Sequence, residues 1–246
     1  MALPSIAIPE FVTILPSSGQ SITFRPFLVK EEKILLMAAE AKDFASIGRA
    51  VMQIVQACVL TPNQDVAQWP FFDIEHLFIQ IRAKSVGEKI TLRYHHANDT
   101  NRAGTSCTEI TTVVVNLDTI QTIAPRADAA VIVIDEQMSM RLRYPTLAAM
   151  IAMIVPLTEA STAFSSAAAF DLIAHCVESV TVGDRVHLVE STEDTIRFLE
   201  FLPVDAMKQI DVFFKTMPKA SCSLTYTCTA CGQTDTIQLS GLQDFF

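Results

Sequence analysis

The sequence predicts an α+β fold: mixed helices with short antiparallel hairpins, and a zinc-ribbon-like metal site joining the middle of the chain to its C-terminus. Three observations carry this. Apolar residues recur at helical spacing between residues 29 and 85 and again from about 145 to 217. Short alternating runs bounded by turn residues lie between and after those stretches. Near the end, Cys228-Thr-Ala-Cys231-Gly232 reads as half of a zinc knuckle. Its tight turn, permitted by Gly232, points two thiolates at one ion.

The bulk numbers agree with a folded, non-basic protein. Of 246 residues, 50% are hydrophobic and 18% charged, enough apolar material for a packed core. A net charge of -9 argues against nucleic acid or an anionic membrane as the main partner, because both reward basic patches. The nearest basic group, Arg82, Lys84, Lys89 and Arg93, has Glu88 in its midst. The opening Met-Ala-Leu-Pro lacks a secretory pattern, and the most apolar stretch, 147–157, is too short to span a bilayer. Six cysteines without an export signal read as reduced thiols or metal ligands in a reducing cytoplasm.

Taken in order, residues 1–20 carry Pro4, Pro9 and Pro16 and form an extended N-terminal arm, apolar enough to pack on something. Residues 21–246 form one α+β domain. Ser21 to Phe27 alternates as a short strand. Val29 to Glu40 is a helix with Ile34, Leu35 and Ala38 inward. Asp43 caps a second helix that buries Ile47, Val51, Ile54, Val55 and Cys58. Phe72 to Ser85 is a third, with Ile74, Leu77, Phe78 and Ile81 inward and His76 at the rim. Residues 88–95 and 107–117 form a hairpin around a polar loop. Ile90, Leu92 and Tyr94 share one face, and Val113, Val115 and Leu117 another. Short strands follow near 131–134 and 139–143. The helical part, about 145–217, holds a helix from Thr146 to Val155 and one from Phe164 to Val180 with Cys176 buried. Arg185 to Val189 is a short strand within it, Ser191 caps a helix, and Val204 to Thr216 is the last. The metal hairpins cover about 88–117 and 220–240.

Two thiolates do not complete a zinc site. The predicted partners lie more than a hundred residues upstream: Cys107, and one of His95 and His96. His96 is preferred because it sits at the loop edge with more freedom than His95. Cys222 is an alternate, since it shares strand parity with Cys228. An iron–sulfur cluster suits a set of thiolates, but a His among the ligands favours zinc. Four protein ligands make the ion structural, not catalytic. No Gly-rich phosphate loop, Gly-x-Ser-x-Gly or His-Glu-x-x-His is present. The acidic pairs Glu31/Glu32 and Asp135/Glu136 read as solvated surface. No catalytic residue is assigned, and the chain reads as a non-enzyme.

The tail Leu242-Gln-Asp-Phe245-Phe246 ends in two aromatics, each worth roughly 2 kcal/mol when buried. It is expected to dock, either beside the metal hairpin or into a partner, which makes Phe245 and Phe246 candidate partner-binding residues.

Several long blocks resemble one family. They are Phe24-Arg-Pro-Phe-Leu-Val-Lys-Glu-Glu-Lys-Ile-Leu-Leu-Met-Ala, Asp73-Ile-Glu-His-Leu-Phe-Ile-Gln-Ile-Arg-Ala-Lys-Ser-Val-Gly-Glu88, Cys176-Val-Glu-Ser-Val, and the ending from Tyr226 to Phe246. Together they resemble a baseplate hub family, subunit or assembly protein, of T-even-type contractile-tailed bacteriophages. The family pattern carries a Cys near His95 and His96, for which His is an acceptable chemical replacement. The resemblance implies a non-enzymatic protein of the tail baseplate hub, with other hub proteins as partners. It would reside in the virion or, during assembly, in the host cytoplasm. The alternative from the residues alone is a zinc-ribbon nucleic-acid-binding protein, which the acidic charge disfavours.

Overall fold

Among the described residues, strand pairing is antiparallel throughout and divides among four small sheets. In the computed structural model, residues 6–41, 43–94, 107, 109–126, 128–152 and 166–241 are described. The sheets are β1–β2 (Phe11–Ile14, Ser21–Phe24), β3–β4 (Lys89–Tyr94, Thr111–Asn116), a three-stranded sheet and a four-stranded one. The three-stranded sheet runs in the order β11–β10–β5 (Thr234–Ser240, Ala220–Thr227, Gln121–Thr122). The four-stranded sheet runs β6–β7–β8–β9 (Val131–Val133, Met138–Leu142, Val177–Val182, Arg185–Leu188).

Helices fill the space between the sheets. They are α1 (Val29–Ala41), α2 (Phe44–Cys58), α3 (Phe71–Val86), α4 (Ser166–Cys176), α5 (Thr192–Glu200) and α6 (Val204–Lys215), with further helical residues at 147–152. Two starts follow sequence chemistry. The Ser46 N–H donates to the Asp43 carboxylate at 2.7 Å, and the Asp194 N–H to the Ser191 hydroxyl at 3.4 Å. The side chain of Gln209 in α6 bonds both the N–H and the C=O of Val133, fastening that helix to the outer strand β6.

Three hydrophobic cores result. The first gathers β1–β2, α2 and one face of α3, centred on Ile22, Phe24, Val51, Ile54, Leu77 and Phe78. The second lies between α3 and the hairpins β3–β4 and β10–β11. The third packs α4, α5 and α6 on the four-stranded sheet through Ile132, Met140, Val177, Leu199 and Ile210.

The helix α3 departs from the single stripe that its periodicity predicts. Ile74, Leu77, Phe78 and Ile81 face the first core as expected, while Ile79 and Ala83 face the second. A helix between two cores is buried all round, so one-sided amphipathicity cannot describe it. Its carboxylates are satisfied internally. Asp73 accepts from the N–H (3.0 Å) and the hydroxyl of Ser17, and burial still pushes its carboxyl up from the ordinary value. His76 meets the Thr13 hydroxyl at 2.9 Å.

Those two contacts hold the β1–β2 hairpin against α3. β1 pairs with β2 across residue 20, and Leu15 is buried in the first core. The extended arm expected over residues 1–20 is thus, from Phe11 on, half of a hairpin. The long helix expected to end at Val180 stops at Cys176. Val177 to Val182 is strand β8, paired with β7, because its β-branched alternation suits a sheet better than another helical turn. The helical part of the chain therefore contains two strands of the four-stranded sheet.

Glu31 corrects a second expectation. It is 2% exposed, not solvated. Its carboxylate bonds the Arg25 guanidinium at 2.9 Å and accepts the Leu28 N–H at 2.9 Å. Arg25 also donates to the Ala57 carbonyl, so the pair ties α1 to β2 and the end of α2. Burial opposes the charge on Glu31, but Arg25, the Leu28 N–H and Lys30 together outweigh it, and the pKa ends below the ordinary 4.5. A depressed carboxylate contributes stability above its unfolded pKa and loses it as pH falls through the folded one. Glu31→Gln should cost roughly 3 kcal/mol near neutral pH, because it strands a mostly buried guanidinium. The deficit relative to the parent should shrink below pH 4.5. Denaturant titrations from pH 3 to 7 measure this, and a loss under about 1 kcal/mol at pH 7 would show the pair to be dispensable.

Candidate metal centre

The β10–β11 hairpin ends in a turn built for converging sulfurs. The Cys228 N–H donates to the Gln233 carbonyl at 2.7 Å, and the Gly232 N–H to the Cys228 carbonyl at 2.9 Å. Gly232 has φ +69°, the left-handed region that the turn requires. Cys228 continues the inward face of β10 set by Leu224 and Tyr226, and the turn brings Cys231 back to it. Cys107 arrives from the segment before β4.

The sulfurs of Cys107, Cys228 and Cys231 all lie within 4.8 Å of one another. Cys107 Sγ and Cys228 Sγ are 3.9 Å apart. That is nearly twice a disulfide length, and all six cysteines are free. It is close to the roughly 3.8 Å expected between two thiolates 2.3 Å from one tetrahedral zinc. Cys107 and Cys228 are buried, and Cys231 is half-buried.

The thiols are not equivalent. The backbone N–H groups of Cys231 and Ala230 aim at the Cys228 sulfur and bring its pKa down to about 6 against the cost of burial. The buried Thr111 hydroxyl also favours that thiolate, while making no hydrogen bond of ordinary geometry. Cys107 takes the Glu109 N–H, which lowers its pKa, but burial and the neighbouring Cys231 and Cys228 sulfurs outweigh it and leave the thiol raised. Sulfurs buried this close together can be ionised at once only with a cation among them, and otherwise they keep their protons.

The other cysteines contrast with these. Burial pushes Cys58 up to about 11 and Cys176 up to about 12, as expected of inert core thiols. Cys222, the alternate ligand, does share the inward face of β10. However, it pairs with Leu239, six residues from Cys228, about 20 Å along a strand. Its sulfur is 3.8 Å from the Thr119 hydroxyl, and it belongs to the second core rather than to the thiol cluster. His95 and His96 lie outside the described residues, as do Phe245 and Phe246. Among the described residues the cluster thus offers three ligands from two segments, and no complete zinc ribbon is seen.

Sequence reasoning missed Thr111 and the N–H of Glu109. Nothing marks either, since their role follows only from where β4 begins. The N–H groups of Ala230 and Cys231 are implicit in the knuckle. Among the described residues, no helix is long and apolar enough to cross a membrane.

Comparison with known proteins gives one match. Residues 8–246 match the family described as T4 bacteriophage base plate protein. No match was found among curated proteins or among solved structures. Because the family match takes in both the thiol cluster and all three cores, the chain belongs to the T4 bacteriophage base plate protein family.

Proposed function

We propose that the chain is a non-enzymatic structural or assembly protein of the baseplate hub. It acts through contacts with other hub proteins, and a structural zinc ion stabilises its fold. The observation that carries the role is the family match over residues 8–246, and the hub assignment rests on the resemblance of the blocks quoted above. Contacts with neighbours also suit the surface. Ile8, Val12 and Ile14 stand exposed on or just before β1, and Phe201 and Val204 stand 88% and 73% exposed at the corner between α5 and α6.

The zinc ligands are Cys107, Cys228 and Cys231, with His96 as the fourth and His95 as its alternate. Zinc is the ion that a soft, thiolate-rich, tetrahedral set selects. In the unfolded chain Cys107 is 121 residues from Cys228, and closing a loop of that size costs roughly 4–5 kcal/mol. The full ligand set therefore exists only in the folded chain, so binding stabilises the fold.

Freshly prepared, never-chelated protein should contain about one zinc per chain by elemental analysis. Cys228→Ser should lose the metal and lower the melting temperature by roughly 10 °C, the scale of 3–5 kcal/mol in a chain this long. Cys58→Ser should keep the metal. His96→Ala compared with His95→Ala assigns the fourth ligand. Metal-free parent protein would remove the zinc reading.

Tagged protein purified from infected cells should bring down other baseplate hub proteins. Mass spectrometry of finished particles then separates a component, present at fixed stoichiometry, from an assembly factor found only in intermediates. Deleting Phe245 and Phe246 should reduce that co-purification. Tight, salt-sensitive binding to a short duplex without tail proteins would overturn the role.

A further inference from the structure

The two ends of the β10–β11 hairpin are held by different chemistry. At the base, Ala220 is fully buried, and Leu239 and Ile237 pack in the second core. The Ala220 N–H donates to the buried Glu75 carboxylate in α3 at 3.4 Å. The Gly241 N–H closes the base on the Ala220 carbonyl at 3.0 Å, and Ala220 pairs with Thr122 of β5. Towards the tip the apolar contact thins. Tyr226 is the last buried apolar side chain on β10 before the cysteines, its ring 6.4 Å from that of Tyr94. Thr227, Thr229, Ala230, Gly232 and Thr234 are exposed. Yet Cys228, beyond Tyr226, is only 1% exposed and faces Cys107 from a distant part of the chain. Beside it the buried Thr111 hydroxyl makes no hydrogen bond of ordinary geometry.

An exposed, polar hairpin end gains little from the hydrophobic effect by burying the Cys107 and Cys228 sulfurs beside the Thr111 hydroxyl. We infer that a zinc ion held by Cys107, Cys228 and Cys231 is the clamp of this tip, and that losing it frays β10–β11 from the tip inward. The base, tied by Glu75 and the second core, stays in place, and so do the first and third cores. This rests on the zinc reading and adds where in the fold the ion acts. A hairpin with few buried contacts at one end opens there first when its cross-link is removed. With no cation between them, neighbouring buried sulfurs must take up protons and lose the bonds that join them through the ion.

Amide hydrogen exchange on the full-length protein tests this in three states: as isolated, after EDTA, and after zinc is restored. Elemental analysis is run on each state. Expected is a rise in exchange of at least about tenfold across 225–236 after EDTA, with protection regained on adding zinc. Peptides from 220–222 and 238–240 should change less, and those from α2 and α6 not at all. Cys107→Ser, which leaves the hairpin sequence untouched, should reproduce the EDTA pattern. Zinc that is present and removable without any change at 225–236 overturns the clamp while leaving the zinc reading intact. Exchange rising equally in all three cores overturns it as well, since the ion would then hold the whole fold. A protein isolated without zinc overturns both.

Discussion

The fold depends on α3 being packed between two cores. A helix in that position must satisfy its polar side chains internally or leave them unpaired at a cost of a few kcal/mol each. Asp73 reaches Ser17 in the β1–β2 turn, and Glu75 reaches the Ala220 N–H at the foot of the C-terminal hairpin. Two carboxylates two residues apart therefore fix the N-terminal and C-terminal hairpins to one helix. Their specificity comes from the cost of failure: any other placement of either hairpin would strand a buried acid.

The thiol cluster closes a second connection that α3 does not reach. α3 secures the near end of β10–β11, and the sulfurs meet at the far end, beside the start of β4. The second core thus lies between a carboxylate anchor and a thiol anchor. Its apolar content is modest, built from Ile79, Ile90, Val113, Val115, Leu117, Ile237 and Leu239 with a few neighbours. Small cores of this kind gain from a cross-link, as small domains do.

Much of this was legible in the sequence, and the successes share a cause. Alternation picks out the apolar sets of β3 and β4, although the register sets Ile90 opposite Val115 and Leu92 opposite Val113, so the two sets share one buried face instead of lying on two. Asp43 caps α2 because capping is decided within four residues. Cys228 and Cys231 converge because their turn is local, and Cys107 joins them because it flanks a legible hairpin. The failures are all non-local. Glu31 looks solvated until Arg25 is brought to it by the packing of β2 on α2. Ile79 falls outside the predicted stripe until a second core covers the back of α3. Val177 reads as helix until β7 supplies a partner strand. Cys222 has the right face and the wrong distance, and parity alone carries no information about distance along a strand.

Parity and distance also explain why the clustered cysteines sit where they do. Side chains on β10 face the second core at positions 222, 224 and 226, and Cys228, just past the strand, continues that face. Cys222 and Leu224 meet partners supplied by apolar packing, and Tyr226 meets Tyr94. At 228 the facing β3–β4 hairpin has reached the end of its paired region, Tyr94 opposite Thr111. Past that point, no cross-strand apolar pair from β3–β4 stands opposite the inward face among the described residues. Among the described residues, a cysteine there meets what flanks the facing hairpin, and Cys107 is such a flank. Coordination of the proposed zinc through sulfur would suit that position better than packing, because an ion bonds in fixed directions at about 2.3 Å and needs few surrounding atoms. An apolar side chain would need neighbours on most sides to gain as much.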